Sequence, residues 1–149
     1  MHDVGKNKGF TLIELIVIIV IVGIVALIAA PRFFTQSTFD ASRFHEAAIS
    51  AIRYAQKVAI AQRTNVFVVS SASTLALCYD AGCASTVKNP GSSDNFVLNL
   101  PTGIAITVTS FNFNSLGQPI PNVLTTLTIT GDPTPRQIVV EQETGYVHK

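Results

Sequence analysis

Apolar residues dominate the chain from Phe10 to Ala30, a run of 21 residues with Glu14 as its one charge and Gly23 as its one small interruption. At about 1.5 Å of rise per helical residue, this run matches the ~30 Å hydrocarbon core of a bilayer. Residues 10–30 are therefore predicted to form a membrane-spanning helix. A buried core helix of this length and apolarity would need a much larger domain around it than the rest of the chain provides. Gly23 and Pro31 punctuate the helix. The first weakens a helix interior, and the second removes a backbone donor. The segment between them is the easiest part to loosen, whether as a softened segment or as a simple bend where the helix leaves the bilayer.

Beyond Pro31 the periodicity changes. Phe44, Ala48, Ala51, Ile52, Ala55, Val58 and Ala59 fall on one stripe at helical spacing, with Arg43, Glu46, Ser50, Arg53 and Lys57 opposite, so residues 31–63 read as an amphipathic helix. The small residues in the stripe predict close approach of a sheet. A looser stretch is expected from Thr35 to Thr38, with Ser37 or Asp40 capping the helix where it resumes. Ile49 and Ile60 fall on the polar side and read either as incidental exposed aliphatics or, were the protein to form a filament, as contacts to a neighbouring subunit.

From residue 64 to 149 the chain turns to short β-branched and aromatic runs separated by turn residues. Strands are predicted near Val66–Ser70, Thr74–Tyr79, Asn95–Leu100, Ile104–Thr109, Leu124–Thr130, Gln137–Glu141 and Tyr146–Val147. Loops are predicted at Lys88–Asp94, Leu116–Asn122 and Gly131–Arg136. The fold class is α+β: one long N-terminal helix, membrane-spanning in its first half and amphipathic in its second, packed on an antiparallel β domain.

Glu14 is the chemical anomaly of the apolar run. An ionised carboxylate costs about 2.5–3.5 kcal/mol at the centre of a bilayer, and less near its surface. A cut after Gly9 would give Phe10 a free ammonium one helical turn ahead of Glu14, and between neighbouring subunits the two charges would cancel. An ordinary secretory signal has a shorter apolar region, no acid within it and a small-x-small cleavage site, which this segment lacks. The basic leader Lys6-Asn7-Lys8-Gly9, followed by Phe10-Thr11-Leu12-Ile13-Glu14-Leu15 and an apolar helix, closely resembles the class III signal of type IV pilins and type II secretion pseudopilins. The resemblance implies a leader over residues 1–9, removed by a prepilin peptidase between Gly9 and Phe10. It also implies methylation of the Phe10 amine and a role for Glu14 in assembly. The implied partners are the peptidase, other pilins or pseudopilins and an inner-membrane assembly platform.

A second, looser resemblance lies in the β region. Phe111-Asn112-Phe113-Asn114-Ser115-Leu116-Gly117-Gln118-Pro119, then Gln137-Ile138-Val139-Val140 and Thr144-Gly145-Tyr146-Val147, look like the domain shared by general secretion pathway protein H and the related FimT-like minor pilins. Upstream, Ala51-Ile52-Arg53-Tyr54-Ala55-Gln56 and Ala59-Ile60-Ala61 are similar to the helix end in that group. This favours a minor subunit near a fibre tip over the main building block.

Lys6 and Lys8 bias the N-terminus to the cytoplasm, which places the β domain across a bacterial inner membrane. In that oxidising compartment Cys78 and Cys83 are close enough in sequence to pair, the alternative being two free thiols on adjacent strand ends. Two thiolates without further ligands nearby make a poor metal site. From Phe10 onward the chain carries eight basic and eight acidic side chains, net zero, so nucleic acid is a poor partner. His2, His45 and His148 are scattered, and no acid pair, nucleophile motif or phosphate loop is present. No enzyme activity, cofactor or metal is expected. Two functions stay open: a structural subunit of a type IV pilus or type II secretion pseudopilus, and a binding module that such a fibre displays to DNA, a surface or a secreted substrate.

Overall fold

An unbroken apolar run followed by an apolar stripe at a helical period, with no glycine after Gly23 and no proline after Pro31, lets one helix, α1, run from Leu12 to Gln62, 51 residues. The computed structural model describes residues 10–149, with side chains given for 10–26 and 38–149. The leader expected over residues 1–9, including Gly9, lies outside the described residues. The helix is continuous through Thr35–Thr38, so the looser stretch and the resumption capped by Ser37 or Asp40 do not occur. The chain divides into two compact units, Met1–Gln36 and Ser37–Lys149.

In the second unit, α1 ends in a Schellman-type turn. Arg63 takes a left-handed conformation with φ 53°, while its N–H reaches the Ile60 carbonyl and the Thr64 N–H reaches that of Ala59, satisfying two carbonyls that the helix end leaves open. The chain then builds two antiparallel sheets. The first comprises β1 (Val66–Ser70), β2 (Thr74–Cys78), β3 (Val97–Asn99), β5 (Ser110–Phe113) and β6 (Pro119–Ile120), in the order β3-β2-β1-β5-β6. The second comprises β4 (Ala105–Ile106), β7 (Thr125–Thr130), β8 (Arg136–Val140) and β9 (Val147–His148), in the order β4-β7-β8-β9.

Most expected strands shift by a residue or two at their ends, β5 falls where no strand was expected, and two elements differ more. The strand expected over Ile104–Thr109 is reduced to the two residues of β4, and the chain then changes sheets before β5. Buried Ser70 holds this crossing: its hydroxyl donates to the Thr107 carbonyl at 2.6 Å and accepts the Thr109 N–H at 2.9 Å. The loop expected at Leu116–Asn122 contains β6, which pairs with β5 through Asn112 opposite Ile120.

The core lies between the helix stripe and both sheets. Every residue of the predicted stripe is buried, together with Val66, Val68, Leu75, Leu77, Phe113, Leu127, Ile129, Ile138 and Val140. Ile49 is also buried, 3% exposed, which corrects its expected place on the polar face. Two sheets flank the helix, so its buried arc is wider than a single sheet would need. Buried His45 belongs to the same arc and bonds the Gln137 carbonyl of β8 through Nε2 at 2.9 Å. Arg53 donates from both Nε and a terminal nitrogen to the Val147 carbonyl, tying β9 to the helix.

Candidate assembly site

The first turn of α1 is built by Thr11. Its hydroxyl accepts the Glu14 N–H at 3.3 Å, and its carbonyl receives the N–H groups of Glu14 at 3.1 Å and Leu15 at 3.2 Å. This is the N-cap role of a threonine, and with glutamate three residues on, Thr11-Leu12-Ile13-Glu14 has the spacing of a capping box. The charge pattern singles out Phe10 and Glu14 but not Thr11, whose signal in the sequence is the Thr-x-x-Glu spacing. The cap starts the helix so that Glu14 lies in its first turn, where the positive end of the helix dipole favours a carboxylate.

Around Glu14 the surface is apolar on every side. Phe10 is 75% exposed, and Leu12, Ile13, Leu15–Val22, Ile24 and Val25 present large uncovered aliphatic groups. A helix that is apolar all round is made for an apolar surrounding. Among the described residues, Glu14 has no ion-pair partner. The helix with described side chains stops at Ala26, about 22 Å at 1.5 Å per residue, so among the described residues no helix is long and apolar enough to cross a membrane. The span predicted over residues 10–30 continues past that point. Gly23 lies within this helix with open space around it, no atom coming within 4 Å of an added Cβ. Pro31 falls inside α1, and its side chain is outside the described residues.

The other marked residues lie in the second unit. Cys78 and Cys83 are joined in a disulfide, with Cα atoms 5.1 Å apart, which resolves the choice left between a pair and two free thiols. Asp80 organises the same loop: its carboxylate accepts the N–H groups of Ala84 at 3.0 Å and Ser85 at 2.7 Å. The bond from Ala84, followed by that from Ser85, holds the Asp80 carboxyl below the usual aspartate range. A lowered folded-state value means that the stabilisation is present above the unfolded-state value and is lost as the pH falls through the folded one. Hydrogen exchange at Ala84 and Ser85 is therefore expected to be slow at neutral pH and to speed up in acid beyond its intrinsic pH dependence. Asp80→Asn should remove that extra acid response; an unchanged response would overturn the assignment.

At the C-terminal end of α1, sequence reading missed Gln56. Its amide donates to the Gly117 carbonyl at 2.8 Å and to the Thr144 carbonyl at 2.9 Å. It thereby fastens the β5–β6 and β8–β9 turns to the helix.

Residues 5–30 match the family model described as the prokaryotic N-terminal methylation motif. The fold resembles the type IV minor pilin FimU of Pseudomonas aeruginosa in two crystal forms. In one the TM-score is 0.55 at 15% identity over 76% of this chain and 87% of that chain, and in the other it is 0.53 at 14% over 74% and 90%. The chain thus bears a prokaryotic N-terminal methylation motif and folds like a type IV minor pilin. No curated protein matches it. The methylation motif covers residues 5–9 of the leader expected from sequence and the whole apolar run over 10–30, while the structural likeness extends to the β domain, where it concerns the fold.

Proposed function

We propose that this pilin-like chain is a minor pilin or pseudopilin subunit of a type IV pilus or type II secretion pseudopilus. In this reading a prepilin peptidase cuts between Gly9 and Phe10 and the new Phe10 amine is methylated. The helix holds the subunit in the inner membrane until an assembly platform draws it, with other pilins, into a periplasmic or surface fibre near its tip. The observation that carries the reading is the helix that is exposed and apolar on every side, capped by Thr11 and carrying Glu14 in its first turn. Such a surface is costly in water, at about 25 cal/mol per Å². It suits a chain that passes from lipid into a bundle of like helices.

The charge-neutral chain from Phe10 onward favours a structural role over capture of nucleic acid. The deciding experiment is intact-mass and N-terminal measurement on the protein isolated from assembled fibres. The expected result is a chain beginning at methylated Phe10. Assembled protein that still began at Met1 would overturn the reading.

A further inference from the structure

A sheet edge presents unpaired backbone groups, and proteins blunt most of theirs. In the second unit three of the four edges are closed. Alternate residues of an antiparallel strand turn their backbone groups away from the neighbour, and in β6 those positions fall on Pro119 and Pro121, which have no N–H. In β9 the outward position is Val147, whose carbonyl is taken by Arg53. In β4 it is Ile106, which is buried.

The edge of β3 has no such device. Leu98 pairs inward with Leu75, between the bond from the Leu100 N–H to the Ser73 carbonyl at 2.9 Å and that from the Leu77 N–H to the Phe96 carbonyl at 3.1 Å. Val97 and Asn99 therefore turn their backbone groups outward. The Val97 N–H folds back to the Asn95 carbonyl at 3.0 Å, but the Val97 carbonyl, the Asn99 N–H and the Asn99 carbonyl have no partner among the described residues. Both residues are exposed. Acceptor, donor and acceptor at strand spacing are the complement of another extended backbone.

Beside this edge, between β3 and α1, lies an open depression of about 350 Å³ lined by Arg43, Phe44, Ala47, Leu98, Asn99 and Pro101. Leu98 packs toward the core, so a residue paired opposite it would set its side chain on the same face, over the depression.

We propose that β3 takes up an added strand, an extended segment of another protein, with an aliphatic residue opposite Leu98 seated against Phe44 and Ala47. Asp40 joins Arg43 at the rim, and the two charges cancel, which favours an uncharged segment. Three edge residues and one depression fall short of the ~1,200 Å² that a stable dimer of folded faces buries. An added strand draws instead on main-chain bonds and one or two seated side chains. A second copy has only its own β3 to offer, since its other edges are closed in the same way. The inference concerns the second unit and stands apart from processing at Phe10.

The test uses the full-length chain in detergent with Asp94→Cys, an exposed position just before β3. The probe is the peptide acetyl-Thr-Val-Thr-Val-Thr-Gly-Gly-Cys-amide, joined there by a disulfide that holds it near the edge at an effective concentration on the order of millimolar. Cys78 and Cys83 are already paired, so the introduced thiol is the one that reacts. With valine opposite Leu98, the threonine amides face the edge. Linking is expected to slow hydrogen exchange at the Asn99 amide and at the probe's threonine amides at least about tenfold. A probe with N-methylated threonines should leave Asn99 unprotected. Asn99→Pro removes the outward donor while sparing the β2–β3 ladder, and Ala47→Phe fills the depression from the helix. Each should remove most of the probe's protection, and Ala47→Phe decides the case if Asn99→Pro lowers the melting temperature. No slowing with the plain probe, equal slowing with the methylated one, or protection that survives both substitutions would each overturn the proposal. So would Asn99 exchange that is slow without any probe and quickens on dilution, because a second copy would then hold the edge.

Discussion

Replacing Gly145 with alanine is expected to destabilise the β domain by about 2–4 kcal/mol, from left-handed strain and lost hydrogen bonds together. Gly145 has φ +63°, and a Cβ there would stand 2.2 Å from the Gly117 carbonyl oxygen, 2.7 Å from Gln56 Nε2 and 3.0 Å from Phe113 Cε1. None of the three can yield cheaply. The Gly117 oxygen belongs to backbone and already accepts the Gln56 amide, that amide also holds Thr144, and Phe113 is fully buried. The turns of β5–β6 and β8–β9 would be pushed apart where Gln56 ties them. Thermal or denaturant unfolding of the full-length protein in detergent should show a melting temperature lower by roughly 10 °C. Gln56→Ala should give a smaller drop. Gly91→Ala, in open space without positive φ, should stay within about 0.5 kcal/mol of wild type. A Gly145→Ala protein as stable as Gly91→Ala would sink the account.

Local pattern was enough to find the helix stripe, because Phe44, Ala48, Ala51, Ile52, Ala55, Val58 and Ala59 repeat at the period that one buried face requires. It was not enough to place Ile49. The width of a buried arc depends on how many layers flank the helix, and that number is set by pairings far apart in sequence. The same limit explains the run from Ile104 to Phe113. Its residues all suit a strand, but where the chain leaves β7 for β1 is decided by the partners of β4 and β5 and by Ser70, which reaches across 37 and 39 residues to bond Thr107 and Thr109. At the candidate site, Phe10 and Glu14 were legible because a charge in an apolar run is an anomaly in any window. Thr11 was legible in principle from the capping-box spacing. Gln56 was not, since its two carbonyl partners lie 61 and 88 residues away and give a glutamine on a helix no local mark.

Glu14→Gln is expected to leave cleavage after Gly9 and membrane insertion intact while reducing recruitment into the fibre by an order of magnitude or more, about 1.4 kcal/mol or above. The substitution keeps size and helical preference, and Thr11 accepts the backbone N–H of residue 14 through its hydroxyl and its carbonyl, with no bond to the side chain, so α1 should start as before. What is lost is charge. In a bilayer a carboxylate in the first turn of the helix can reach the interface or take up a proton, so insertion does not depend on a partner. Within a bundle of apolar helices water is scarcer, and an unpaired carboxylate is costly while one set against an ammonium is not. In the proposed fibre the Phe10 amine of an adjacent subunit, freed by the proposed cleavage, would meet this need, and pairing with it would set the axial register of the incoming chain. Glu14→Gln loses that attraction, whereas a role confined to peptidase recognition would show instead as uncleaved precursor. Cleavage, membrane fraction and co-purification with partner pilins, measured together in the same cells, separate the two. A fully cleaved Glu14→Gln chain that co-purifies at the wild-type level would falsify the pairing role.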